Sequence, residues 1–454
     1  MPYLYACNTS SNRGRLLALA AVVAVAMLPF GNAAISDEGH GKGEAQGDRA
    51  LRLIGLAPIP ASAANNTAGG MYSFDISYVD QSNDTYYLAD RSNAAVDVVD
   101  AKTGKFVKQI PASPAFAGFS GSNATSGPNG VVAAFPWLFA TDANSRVVSI
   151  DLRNGKTVGD VSTGGAAGLR ADELAYNPQD GQLLVINNAD TPPFGTLISV
   201  DKTTGKLTVG KRITFDAAHG VDAQNGAEQP IWDPNARRYY VSIPQVGATV
   251  SDGGVVRINP TSATVEKVFP VQFFSPAGLA LGPKRKDGGQ DALIGCNMVF
   301  DTAGAVWDPA GTVPADPRDV IINLTTGKVD AEIFGAGAGD EVWFNSGDNN
   351  YYATGSGSPF RPLPAATAKG STPLAVIDAK DEKLVGTAAT YNVPAATGTK
   401  PHPAGTSHSV AADSDNNHVF VPLAANNAFL SPDGKSNCLT GCVAVFAHPD
   451  EDTE

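Results

Sequence analysis

Six times along this chain, alternating apolar residues run up to an Asp or Asn, a short polar turn follows and a second alternating run begins, and a seventh, degenerate copy carries Ala in that place. The copies are VDVVDAKTGK (96–105), VVSIDLRNGK (147–156), LISVDKTTGK (197–206), VVRINPTSAT (255–264), DVIINLTTGK (319–328), LAVIDAKDEK (374–383) and the degenerate VAVFAHPDED (443–452). Alternation with period two marks strands, and a tight turn between two such runs marks a hairpin. The closing positions Asp100, Asp151, Asp201, Asn259, Asn323, Asp378 and Ala447 recur after 50 residues at the shortest (151 to 201) and 69 at the longest (378 to 447). Upstream of the copies lies another pair of strand patterns, such as FDISYVD with TYYLAD, ELAYNP with QLLVINN, and QPIWDP with RYYVSI. Two hairpins per unit make one blade. Seven units predict an all-β, seven-bladed β-propeller of four-stranded antiparallel blades.

An unsealed ring would leave strand edges open to aggregation. The last copy runs out at 450–454 without an outer strand, while LRLIGLAPIP, from Leu51, is a strand without a blade. The N-terminal strand is therefore expected to close the ring. The propeller is assigned to 51–448, preceded by a flexible leader at 35–50 and followed by an acidic tail at 449–454. The 48 Gly and 31 Pro agree with many short strands, and 43% hydrophobic residues suffice for a large core. A net charge of −13 with no basic run excludes a nucleic-acid binder.

Arg13 and Arg15 precede an apolar run at 16–28 and small residues ending at Ala34. This pattern predicts a secretory signal peptide over 1–34 and a secreted or periplasmic protein with no membrane span after signal removal. In such a compartment Cys438 and Cys442 can form a local disulfide, whereas Cys296, in the apolar stretch ALIGCNMVF, is expected as a buried thiol.

The innermost strand of each blade starts at the face where propellers usually bind ligands. Aligning those strands on their closing positions (Asp80, Ala134, Asn177, Asp233, Gly282, Asn345, Asp413) places Asp75, Asn129, Asp172, Glu228, Ala277, Asp340 and His408 five residues earlier. Six of the seven can ligate a metal or hydrogen-bond, and Glu173 and Glu341 stand beside two of them. Two unit charges 4 Å apart repel by about 4 kcal/mol near a protein surface, so the ring calls for a neutralising group. The expectation is a divalent cation held by some of Asp75, Asn129, Asp172, Glu228, Asp340 and His408. Oxygen ligands suit Ca²⁺, Mg²⁺ or Mn²⁺, and an imidazole extends the range to Zn²⁺. His219 and His402, in segments entering inner strands, are proton-transfer candidates, with Glu173 or Glu341 as a substitute base. Long connections at 301–318, 358–372 and 424–441, carrying Trp307, Phe360 and Phe429, are expected to shape a pocket on the same face.

The hairpins and the YYLAD-type strands resemble the repeat propellers of the YVTN or surface-layer type, a structural likeness that leaves the activity open. AEQPIWDP, with Glu228, Pro230 and Trp232, and GPNGVV, with Asn129, resemble segments of the gluconolactonase (senescence-marker protein) family. That resemblance implies a divalent metal polarising a lactone carbonyl. SPAGLALGP departs from it, with Ala277 where the family has Asn. No nucleophile elbow, P-loop or H-E-x-x-H motif is present. The sequence thus leads to a metal-dependent hydrolase or lyase acting on a small organic substrate such as a lactone. The alternative is a non-catalytic scaffold or binding propeller with an envelope protein as partner.

Overall fold

A computed structural model describes residues 51–286, 288–306, 318–336, 339–354, 374–388, 390 and 407–449. The expected signal peptide and leader, His402, Trp307, Phe360 and the tail beyond 449 lie outside the described residues. Seven four-stranded antiparallel sheets form the structure. Their inner strands are Ser77–Asp80, Val131–Ala134, Leu174–Asn177, Pro230–Asp233, Phe274–Lys284, Val342–Asn345 and Ala411–Ala412. Each packs beside the next, and the seventh packs beside the first, so the chain is a closed seven-bladed β-propeller.

Six blades run from inside to outside in chain order. The seventh takes its outer strand, Arg52–Pro58, from the start of the described chain, where it pairs antiparallel with Cys442–Ala447. This explains the degenerate seventh copy. In the other units the Asp or Asn side chain accepts from turn amides, as Asp201 does from Thr203 N at 2.9 Å and Asn323 from Thr325 N at 2.9 Å. Ala447 faces Arg52 instead of entering a turn, so nothing there requires an Asx acceptor. The turn glycine also has a packing role. Gly205 sits at φ +71°, and a Cβ there would lie 2.6 Å from the Trp137 ring of the preceding blade.

Strand alternation is used on both faces. In the second strand of the first blade, Tyr86 and Leu88 pack toward the seventh blade with Phe420, Val443 and Val445. Tyr87 and Ala89 pack toward the second blade with Val131, Leu138 and Val148. Every inter-blade layer is therefore an apolar core of its own. Cys438 and Cys442 are joined in a disulfide, and Cys296 is buried outside any disulfide. Among the described residues no helix is long and apolar enough to cross a membrane.

Candidate functional site

Five of the aligned side chains come from the same place in five blades. Asp75, Asn129, Asp172, Glu228 and Asp340 each stand two residues before their inner strand begins. Backbone hydrogen bonds to the returning second strand fix four of these positions: Asp75 N to Ala89 O, Asn129 N to Thr141 O, Asp172 N to Ile186 O and Glu228 N to Ser242 O, at 2.8–3.0 Å. His408 lies three residues before the seventh inner strand. In the fifth blade the equivalent residue, Ala277, lies inside the strand and is fully buried.

The structure brings all six polar residues into one connected cluster, and it adds two arginines that the alignment misses. Arg91 follows the second strand of the first blade and is 1% exposed. Its Nη2 donates to Asp75 Oδ2, and its Nε donates to Asn129 Oδ1 at 2.8 Å. Arg170 spans several blades. Its Nη1 lies 3.3 Å from Asp75 Oδ2, its Nη2 lies 2.6 Å from Asp172 Oδ2, and its Nε reaches Asn188 Oδ1 at 3.3 Å. Asn188 Nδ2 in turn stands 3.5 Å from Glu228 Oε2. His408 Nε2 lies 3.3 Å from Asp75 Oδ1, at ion-pair distance but without hydrogen-bond alignment, and its ring stacks on Phe74 at 5.2 Å.

Two groups of ligand-type atoms share Asp340. Asp75, Asp340 and His408 form one, and Glu173, Glu228 and Asp340 form the other, each with ligand atoms within 4.8 Å of one another. Glu173 is 3% exposed, and its Oε2 is buried with no hydrogen-bond partner. A carboxylate oxygen buried without a donor is costly, and a hard cation would satisfy it. The oxygen-only donor set therefore fits Ca²⁺, Mg²⁺ or Mn²⁺.

The charges divide the cluster. Burial would raise the Asp75 carboxyl, but Arg91, the contact with His408 and Arg170 together hold it well below the usual carboxylate range. Asp172 is pushed up to about 7 by burial, against the pull of Arg170, with Asp75 and Asp340 adding to the rise. Glu228 rises to about 8 through burial and the charges of Asp340 and Asp172. Burial and the neighbouring Asp340, Asp172 and Glu228 push Glu173 up strongly. Asp340 also rises, chiefly through burial. Asp75 is held ionised by guanidinium, whereas Asp172, Glu173, Glu228 and Asp340 resist ionisation.

Several expected participants lie elsewhere. Glu341 turns into the wall between the sixth, seventh and first blades. Its Oε2 accepts from Ser77 N and Ser77 Oγ at 3.1 Å each, from Val410 N at 3.3 Å and from Ser409 Oγ. It clasps three blades and is not placed to act as a base. His219 ends a 3₁₀ turn after the outer strand of the third blade, where its Nδ1 pairs with Asp216 at 2.6 Å and its side chain is 59% exposed. The structure does not bring it to the cluster, because the insertion after that strand folds back on its own cap. Asn129 is in the cluster, but Arg91 occupies its Oδ1, and its Nδ2 donates to Ser126 O and Ala171 O. Trp232 lies within the fourth inner strand against Tyr239, with its Nε1 on Gln179 Oε1 at 3.2 Å. Phe429 falls on the strand Asn426–Leu430, which pairs in a two-stranded ribbon outside the blades.

The geometry defines a β-propeller with an acidic, arginine-braced cluster where its inner strands begin. No family model matches the sequence, and no curated protein matches it. In backbone arrangement, 1450 solved chains are similar. One is the Kuenenia stuttgartiensis hydrazine synthase, with a TM-score of 0.55 and 13% identity over 87% of this chain and 99% of that chain. At that identity the likeness establishes the propeller fold alone.

Proposed function

We propose that the protein is an exported, divalent-cation-dependent hydrolase or lyase acting on a small uncharged organic substrate of the lactone or ester kind. The carrying observation is the Glu173, Glu228 and Asp340 triad, with a buried carboxylate oxygen that no protein donor satisfies. The partial gluconolactonase-like segment around Glu228 supports this reading, as does the likeness of the hairpins to YVTN-type repeats. The signal-like sequence at 1–34 and the Cys438–Cys442 disulfide support export. Three carboxylates around a divalent ion leave a net negative site, which disfavours an anionic substrate.

Bound there, the cation would polarise a substrate carbonyl. The chain supplies the rest. Asp75, held ionised by two arginines, stands beside His408 and stabilises a proton taken up by the imidazole. In hydrolysis His408 accepts a proton from the attacking water and returns it to the leaving oxygen. In elimination it takes the proton from carbon while the adjacent carbon–oxygen bond breaks, so that a double bond forms and the carboxylate leaves. His408, given a ligand's role by the alignment, thus takes the proton-transfer role expected of His219.

A non-catalytic binding or scaffold reading is favoured by the arginine side of the cluster, which is already satisfied. Metal analysis and an ester and lactone panel separate the two. The enzyme reading predicts a bound divalent ion whose removal by EDTA abolishes turnover, and a loss of at least about 100-fold in Glu228→Gln. Full activity in Glu228→Gln, or a protein that binds no divalent ion, would contradict it.

A further inference from the structure

We propose that Arg91 and Arg170 stand in for a second cation, so that the cluster holds one divalent ion on Glu173, Glu228 and Asp340 and leaves His408 unligated. The proposal rests on the metal reading above.

A carboxylate shared by two ligand groups, as Asp340 is, is the bridge expected between two ions about 3.5–4 Å apart. The surroundings of the two groups differ. On the Asp75 side, Arg91 and Arg170 both reach Asp75 Oδ2, Arg170 also holds Asp172, and Arg91 holds Asn129. Two guanidinium groups carry the charge of one divalent ion. Their planar forks also occupy Asp75 Oδ2, Asp172 Oδ2 and Asn129 Oδ1. On the other side, among the described residues, none of Glu173, Glu228 and Asp340 forms an ion pair with Arg or Lys, and Glu173 Oε2 has no partner. Among the described carboxylate oxygens of the cluster, Glu173 Oε2 is the one buried without a donor. A chain that had to hold two ions would not bury permanent cations on the ligands of one of them.

The test is Mn²⁺ titration of the EDTA-stripped full chain, read as binding stoichiometry. The wild type is expected to bind one Mn²⁺. Arg170→Met is expected to bind a second, because the change removes half of the substitute charge and frees Asp172 Oδ2, while Asp75 Oδ1, Asp340 and His408 remain as ligands. His408→Gln should leave the wild-type Mn²⁺ affinity within about threefold, well short of the 10–100-fold loss typical of disturbing a metal shell. It keeps the test decisive should Arg170→Met fail to fold. Two ions in the wild type, a single ion in folded Arg170→Met, or a loss beyond about tenfold in His408→Gln would overturn this inference while leaving the metal site intact. No Mn²⁺ binding up to about 1 mM in the wild type would remove the proposed function along with it.

Discussion

Arg91→Met is expected to lower the unfolding free energy by about 3–5 kcal/mol, the cost of leaving a buried charge without its partner. The size follows from burial. The side chains of Arg91 and Asp75 are 1% and 7% exposed, so water cannot replace the lost guanidinium. Arg170 and His408 remain beside Asp75, but Asn129 Oδ1 loses its donor at the same time. Because the damage is an uncompensated carboxylate, Asp75→Asn introduced on top of Arg91→Met should recover part of the loss. The two changes touch one network and will not add. Denaturant unfolding of the single and double variants measures this. A loss under about 1 kcal/mol for Arg91→Met, the range of an exposed pair, would show that the arginines brace nothing.

The second large effect is a fall in stability as pH rises from about 5 to 8.5, measured in EDTA. Glu341 and Asp319 are each pushed up to about 8, mainly by burial. Glu228 reaches about 8 and Asp172 about 7. For each, the folded state binds the proton more tightly than the unfolded chain does. Below pH 4 both states are protonated and the stabilisation is fully present. Between pH 4 and 8 the unfolded chain releases its protons first, so folding must retain them or bury charge, and the stabilisation is lost as pH passes the folded values. Each tenfold difference in proton affinity between the folded and unfolded states is worth about 1.36 kcal/mol, so even one of these carboxyls accounts for an effect on the order of several kcal/mol. Asp75 has the opposite sign, but its window lies below its usual carboxylate range, outside this interval. Glu341→Gln isolates one contribution. The amide oxygen can still accept from Ser77 and Val410 but does not titrate, so the melting temperature should vary less between pH 5 and 8.5 than in the wild type. A flat or rising wild-type profile would contradict the assignment of neutral buried carboxyls.

The fold was legible because one device repeats. An Asx acceptor before a turn, followed by a residue at positive φ such as Gly104, Gly155, Gly205 or Gly327, marks the third strand of six blades. Spacing from the inner-strand ends then located the ring of polar residues, because five of the blades carry theirs two residues before the inner strand. The arginines carried no such signal. Arg91 and Arg170 come from unlike positions in single blades, and no period points to them. Nor could sequence separate the twin Asp-Glu pairs at 172–173 and 340–341. Glu341 finds hydroxyl and amide donors on Ser77, Ser409 and Val410, whereas Glu173 Oε2 finds none. Only the neighbouring blades decide which glutamate clasps and which stays available. The same holds for the expected neutralising charge. Repulsion among the carboxylates was predictable, but the sharing of that task between two guanidinium groups and an oxygen-lined remainder depends on side-chain direction.

Crystals equilibrated with Mn²⁺ and measured at its absorption edge show directly whether a single ion sits on the oxygen-only group. One anomalous peak per chain is expected, about 2.0–2.6 Å from oxygens of Glu173, Glu228 and Asp340, with Arg91 and Arg170 still on Asp75. A peak seated on His408 and Asp75, or no peak among these residues, would contradict it.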